Sequence, residues 1–158
     1  MAERHLTDPA LAKWILDLAG VKDTDRGRLV DMNAKTVDCF FHPLMEGRTS
    51  IKWVLAAVWE ADAELRREFS EYERYDSSQL LDPYAALPPI EIAGSTIGVV
   101  DGTEAVCAYQ EMLYGASRNN PAARVAYRRL LLQYCELDTA AMVMIWKHWE
   151  RLATGPQV

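Results

Sequence analysis

Tyr134 and Asp138 are the residues whose types and spacing most invite chemistry. They stand four apart in the stretch Leu131-Leu132-Gln133-Tyr134-Cys135-Glu136-Leu137-Asp138-Thr139. On a helix they share a face. A carboxylate with a phenol one turn away can bind a divalent cation and orient an attacking water. Phosphodiester hydrolysis by two metal ions uses such a group, because the metals hold both the entering and the leaving oxygens. All-oxygen donors suit magnesium or manganese. By spacing alone a bland reading stands beside this one, since a tyrosine in an apolar helical stripe also serves as plain core.

The remaining candidate chemistry is sparse. Cys39, Cys107 and Cys135 are widely spaced and form no Cys-x-x-Cys pair. They read as buried free thiols in a reducing compartment, not as a disulfide framework. His5, His42 and His148 do not cluster with them, which argues against a structural zinc site. The net charge of −6 argues against a large basic docking face. Charge is uneven: Glu60 to Asp82 is acidic, and Arg118, Arg124, Arg128 and Arg129 make a later segment basic. Those arginines are either a solvated helix face or contacts along a phosphate backbone.

The elements that must position these groups read as mainly helical. Asp8-Pro9 starts a helix carrying Leu11, Trp14, Ile15 and Leu18, and Gly20 stops it. Asp23 to Gly27 is a polar loop, and Arg28 to Met32 could form a short buried strand. Thr36 to Phe41 is helical and ends at His42-Pro43. Thr49 can cap a helix holding Ile51, Val54, Leu55 and Val58, which continues or restarts through Ala61 to Phe69. Prolines at positions 83, 88 and 89 break periodicity, so residues 70–102 are expected to form a long irregular ordered loop with one short strand within Ile90 to Val100. Asp101-Gly102 opens a further helix that Gly115 ends, and Pro121 begins the last and longest one. Its stripe is Leu130, Tyr134, Leu137, Ala141, Ile145 and Trp149.

The 158 residues suit one domain. Apolar runs such as Trp53 to Trp59 fall far short of the roughly twenty residues a membrane span needs. Met1 to Asp8 lacks the apolar centre of a secretory signal. A soluble cytoplasmic protein that engages no membrane is expected.

Tyr134-Cys135-Glu136-Leu137-Asp138-Thr139-Ala140-Ala141-Met142-Val143 resembles the third motif of the DEDDy branch of the DnaQ-like, RNase H-fold 3′–5′ exonucleases. It is especially similar to an uncharacterised bacterial family of that superfamily. Phe41-His42-Pro43 with Gly47-Arg48-Thr49-Ser50-Ile51-Lys52 looks like that family's His-Pro, Gly-x-x-Ser-Ile-Lys element. Asp82-Pro83-Tyr84 with Leu87-Pro88-Pro89 looks like its Asp-Pro-Tyr, Leu-Pro-Pro loop, and Asp101-Gly102 with Ala105, Ala108 and Tyr109 looks like its Asp-Gly-x-x-Ala helix. The resemblance runs from Arg28 to Trp149.

It implies an α/β class, a partial RNase H-like fold that is predominantly α-helical in this chain with one or two short strands. It also implies a two-metal magnesium or manganese site, with Asp138 as a metal carboxylate and Tyr134 as its water-orienting partner. Arg124, Arg128 and Arg129 would be candidate phosphate contacts on DNA or RNA ends. Such a site needs four acidic residues from three motifs, and the resemblance carries over only Asp138. Asp62-Ala63-Glu64 has the spelling of the first motif but lies far downstream of its place, and reads as chance. Asn33 to Asp38 comes near the second motif, but the Gly-x-x-Ser-Ile-Lys element follows it too closely to leave room for the strand that normally intervenes; Leu29-Val30-Asp31 is favoured as that strand, leaving Asp38 an exposed helix residue. The chain is therefore expected to be the C-terminal part of an exonuclease-like domain, incomplete or inactive alone. The alternative is a non-catalytic interaction module that pairs with another chain or with itself through an exposed sheet remnant or Trp-rich helices. Asp138 is expected to be at least partly open to a cleft.

Overall fold

The computed structural model describes residues 8–20, 27–92 and 94–155. The expected polar loop at 23–27 lies almost wholly outside them, as do the first seven residues. Six α-helices and four short strands follow one another in the described residues.

Helix α1 (Pro9–Ala19) forms for local reasons: Asp8 Oδ1 accepts from the N–H of Ala10 at 2.8 Å and of Leu11 at 3.3 Å, and Gly20 leaves at φ 81°. It contributes no fully buried side chain. Residues 28–31 are irregular where a buried strand is expected, and Leu29 is 66 % exposed. Among the described residues no strand lies alongside to share its hydrogen bonds, and the Asp31 carboxylate is drawn instead into capping, accepting from Ala34 N–H at 3.0 Å. Helix α2 (Met32–Cys39) thus begins four residues earlier than the apolar pattern suggests.

A turn with Glu46 at φ 49° and Gly47 at φ 77° leads into α3 (Ile51–Ala61). Its N-cap is Ser50, one residue beyond the Thr49 expected, with no side-chain hydrogen bond. Val54, Leu55, Ala57, Val58 and Trp59 are buried, and α3 packs along the last helix. The chain restarts as α4 (Ala63–Glu68) because Asp62 Oδ1 caps Leu65 N–H at 2.8 Å.

Residues 70–102, expected as an irregular loop with one strand, contain two hairpins. Strands β1 (Tyr75–Asp76) and β2 (Gln79–Leu80) pair antiparallel across Ser77 and Ser78, both at positive φ. Strands β3 (Ile90–Ile92) and β4 (Ser95–Ile97) pair in the register Ile90 to Ile97. The count is four strands, where one or two are expected, and they form two separate two-stranded antiparallel sheets. Ile92 carries the second hairpin into the core.

Asp101 caps α5 (Gly102–Tyr114), accepting from Glu104 N–H at 2.8 Å. Asn120 and Pro121 open α6 (Pro121–Thr154), an unbroken helix of 34 residues. At 1.5 Å per residue it is about 50 Å long. Its buried stripe includes Leu130, Tyr134, Leu137, Ala141, Met144 and Ile145, against which α3 and α5 pack. The class is accordingly helical, with two small hairpins. No helix of the described residues is long and apolar enough to cross a membrane.

A polar junction fastens the far end of α6. Asp62 Oδ2 lies 2.9 Å from both His148 Nδ1 and Arg151 Nη1, Arg151 Nη2 reaches Glu68 at 2.7 Å, and Lys147 also pairs with Glu68. Asp62 thus joins the start of α4 to the far end of α6. The three cysteines are free but exposed, not buried, because each faces outward from its helix. Trp59 is core, Trp53 and Trp149 are half-buried, and Trp146 is exposed.

Candidate functional site

The centre of the site is α6, where Tyr134 and Asp138 lie on one helix face as their spacing requires. Tyr134 is 7 % exposed and Asp138 is half-buried. Asp138 keeps part of its surface exposed, but one of its oxygens is covered. The Tyr84 hydroxyl donates to Asp138 Oδ1 at 2.6 Å, and Tyr84 itself is only 3 % exposed. An apolar cleft of about 460 Å³, lined by Met32, Ile51, Ile145 and Trp149, starts one turn further along α6 at Met142, and Asp138 is not among its lining residues.

Local chemistry fixes Tyr84 in that place. Asp82 Oδ1 accepts from the N–H of Tyr84 at 2.9 Å and of Ala85 at 3.1 Å, which folds Asp82-Pro83-Tyr84 into a tight turn. Pro83 is buried, and Gln133 Nε2 donates to Pro88 O at 2.9 Å, tying the end of the loop to α6 beside Tyr134. The Tyr84 and Tyr134 rings meet at 6.1 Å with a 52° tilt. Lys52 of α3 completes the cluster, its Nζ standing 5.0 Å from the Tyr84 ring centre and 5.2 Å from that of Tyr134. The same ammonium donates to Val100 O at 2.6 Å, and Val100 N–H donates to Glu104 at 2.8 Å.

No family model, curated protein or solved structure matches this chain. Lys52, Asp82 and Tyr84, Asp101, and Tyr134 with Asp138 belong to the segments picked out by resemblance, and the fold brings Lys52, Tyr84, Tyr134 and Asp138 into one cluster. The sequence contains these residues, but their partnership spans 54 positions between Tyr84 and Asp138, beyond the reach of local spacing.

The electrostatics follow from burial. Burial first, then the hydrogen bond and charge of Asp138, raise the Tyr84 phenol far above its ordinary value near 10. Burial, then the charge of and hydrogen bond to Asp138, then the charge of Asp101, push Tyr134 up to about 12. Both phenols are neutral at physiological pH. Burial also raises the Asp82 carboxyl, opposed by the N–H groups of Ala85 and Tyr84 and by the charge of Lys52.

A two-metal centre does not fit the residues present. Among the described residues no three His, Cys, Asp or Glu side chains converge to hold a metal ion. Asp138 Oδ1 is already taken by the Tyr84 phenol. Glu64 and Asp38 are exposed on α4 and α2. Arg124, Arg128 and Arg129 are exposed near the start of α6, and Arg129 is nine residues before Asp138, about 14 Å along the axis. Arg128 and Arg129 line a shallow cleft with Leu132 and Glu136.

Proposed function

We propose that this chain is the C-terminal helical portion of a metal-dependent 3′–5′ exonuclease-like domain acting on DNA or RNA ends, and that it is incomplete or inactive alone. The observation that supports this most is the meeting of the resembling segments at Asp138 through Lys52, Tyr84 and Tyr134. On this reading Asp138 is one metal carboxylate and Tyr134 the phenol that orients water. Arg124, Arg128 and Arg129 are the phosphate contacts. Magnesium or manganese would need further carboxylates than the described residues bring to this point, so no hydrolytic step is assigned to them.

With manganese, the isolated chain is expected to degrade a labelled oligonucleotide only at background, equally in wild type and Asp138→Ala. Joined to a polypeptide bearing an Asp-x-Glu strand and a second-motif Asp, it should gain hydrolysis. Asp138→Ala should then lower the rate by about two orders of magnitude, the scale for removing one charge-stabilising group from a site. Hydrolysis by the joined protein that Asp138→Ala leaves untouched would sink the proposal.

A second reading, a non-catalytic self-associating module, is favoured by one surface. Val30, Trp146 and Leu152 are exposed around a second apolar cleft of about 440 Å³, whose lining also includes Phe40 and Trp149. Light scattering tests it: a concentration-dependent dimer that Trp146→Glu abolishes is expected on this reading, and a monomer at every concentration excludes it.

A further inference from the structure

We propose that helix α1 of one copy of this chain docks into the apolar trough beside α6 of a second copy, and that the second copy's α1 returns the contact. The inference rests on the reading of the chain as a self-associating module and names the element that fills its cleft.

An eleven-residue helix is marginal in water unless its apolar face is packed. Leu11, Trp14, Ile15 and Leu18 form such a face at three- and four-residue steps. Yet α1 buries none of its side chains fully, and Trp14 is 54 % exposed. A matching concavity lies close by. The apolar clefts of about 460 and 440 Å³ share Val30 and Trp149, so they adjoin as one trough between α2, α3 and α6. Helix α1 lines neither cleft. Its C-terminal end is held at the rim instead: Leu18 O accepts from Arg28 N–H at 2.9 Å, Arg28 pairs with Asp17 at 2.9 Å, and Val30 follows two residues on. A helix anchored beside a trough it does not enter is placed to reach the trough of a neighbour. Each copy offers one helix and one groove, and a twofold axis satisfies both at once.

The two faces carry anchors of the right kind. Trp14 projects from the helix, and Trp146 stands exposed at the trough with its Nε1 tied to Glu150 at 2.8 Å. Tryptophan is among the residues that most often dominate an interface. Together α1 and the trough lining supply the roughly twenty to thirty residues per side that a stable interface uses. Charge favours protein over lipid as the occupant. The opposite face of α1 carries Lys13 and Asp17, whereas a helix lying on a membrane presents mainly Lys and Arg there. The net charge of −6 also opposes an anionic lipid surface.

Sedimentation of the full chain tests this, with circular dichroism showing that each variant stays folded. Trp14→Glu and Trp146→Lys each change an exposed side chain. Each is expected to weaken the dimer by about thirtyfold or more, the scale of one lost interfacial tryptophan. Mixed together, the two variants should associate more tightly than either alone, because one contact is then intact and the other sets Glu against Lys. A dimer that Trp146→Lys breaks and Trp14→Glu leaves untouched would overturn the docking of α1 while keeping self-association, and so would the lack of any gain on mixing. A chain monomeric at every concentration would overturn both. A monomer that binds vesicles of phosphatidylcholine and phosphatidylglycerol through Trp14 would overturn both as well, and would assign α1 to a lipid surface.

Discussion

Replacing Asp62 with alanine is expected to destabilise the fold by about 3–4 kcal/mol, near the scale for removing one member of a buried ion pair. Its side chain is 10 % exposed and does several things at once. Oδ1 caps α4, and Oδ2 meets both His148 and Arg151. Without it His148 keeps a buried ring nitrogen that has lost its partner, and Arg151 retains only Glu68. Asp62→Asn, which keeps the cap, should cost less.

The same residue gives a pH signature. Burial pulls its carboxyl upward, but hydrogen bonds from His148, Leu65 N–H and Arg151, with the charge of Arg151, outweigh it and hold the group at about 2 against an ordinary 3.8. A carboxyl lowered on folding contributes stability above its unfolded value and loses it as the pH falls toward the folded one. The difference is worth about 2 kcal/mol at neutral pH. Urea unfolding of wild type and Asp62→Asn should therefore differ by a constant amount above about pH 5, and the gap should narrow progressively as the pH falls toward about 2. A gap that persists unchanged through the acid range would show that the ion pair contributes nothing.

Trp59→Ala is expected to cost about 3–5 kcal/mol and to lower the unfolding midpoint by about 10 °C. Trp59 is 1 % exposed in the last turn of α3, so its removal leaves a cavity in the core that α3 shares with α6. Trp59→Phe should cost far less. It keeps an aromatic ring and deletes an Nε1–H that has no acceptor among the described residues, which offsets part of the lost contact. Denaturant unfolding of the two variants at a common slope measures both. A Trp59→Ala loss under about 1 kcal/mol would mean that this end of α3 is not packed as described.

Helix limits set by one or two local residues were readable in advance. Asp8-Pro9 with Gly20, Asp101-Gly102 and Pro121 act where they stand, through caps and a missing N–H. Elements decided by competition were not. Leu29-Val30 carries a strand-like pair, but Asp31 caps a helix and no neighbour pairs with the segment. The hairpin at Ser77-Ser78 uses left-handed backbone without the glycine or asparagine that usually announces it. In the site, Tyr134 and Asp138 were legible because four-residue spacing is a helical property. Tyr84 was visible only as part of a motif, since its bond to Asp138 depends on how a loop crosses a helix 54 residues away. The link from Asp62 to His148 spans 86 positions and was invisible for the same reason.

The unbroken length of α6 has a mechanical consequence. A rigid rod pinned at one place can still turn or slide, but α6 is held at two separated places, by Tyr84 at Asp138 with Gln133 at Pro88 O, and by Asp62 and Glu68 at His148, Arg151 and Lys147. The pins stand ten or more residues apart, about 15 Å along the axis. Rotation that relaxes one strains the other. Any movement that exposes Asp138 is thus carried by the short loop and not by the helix, which serves as the fixed datum of the molecule.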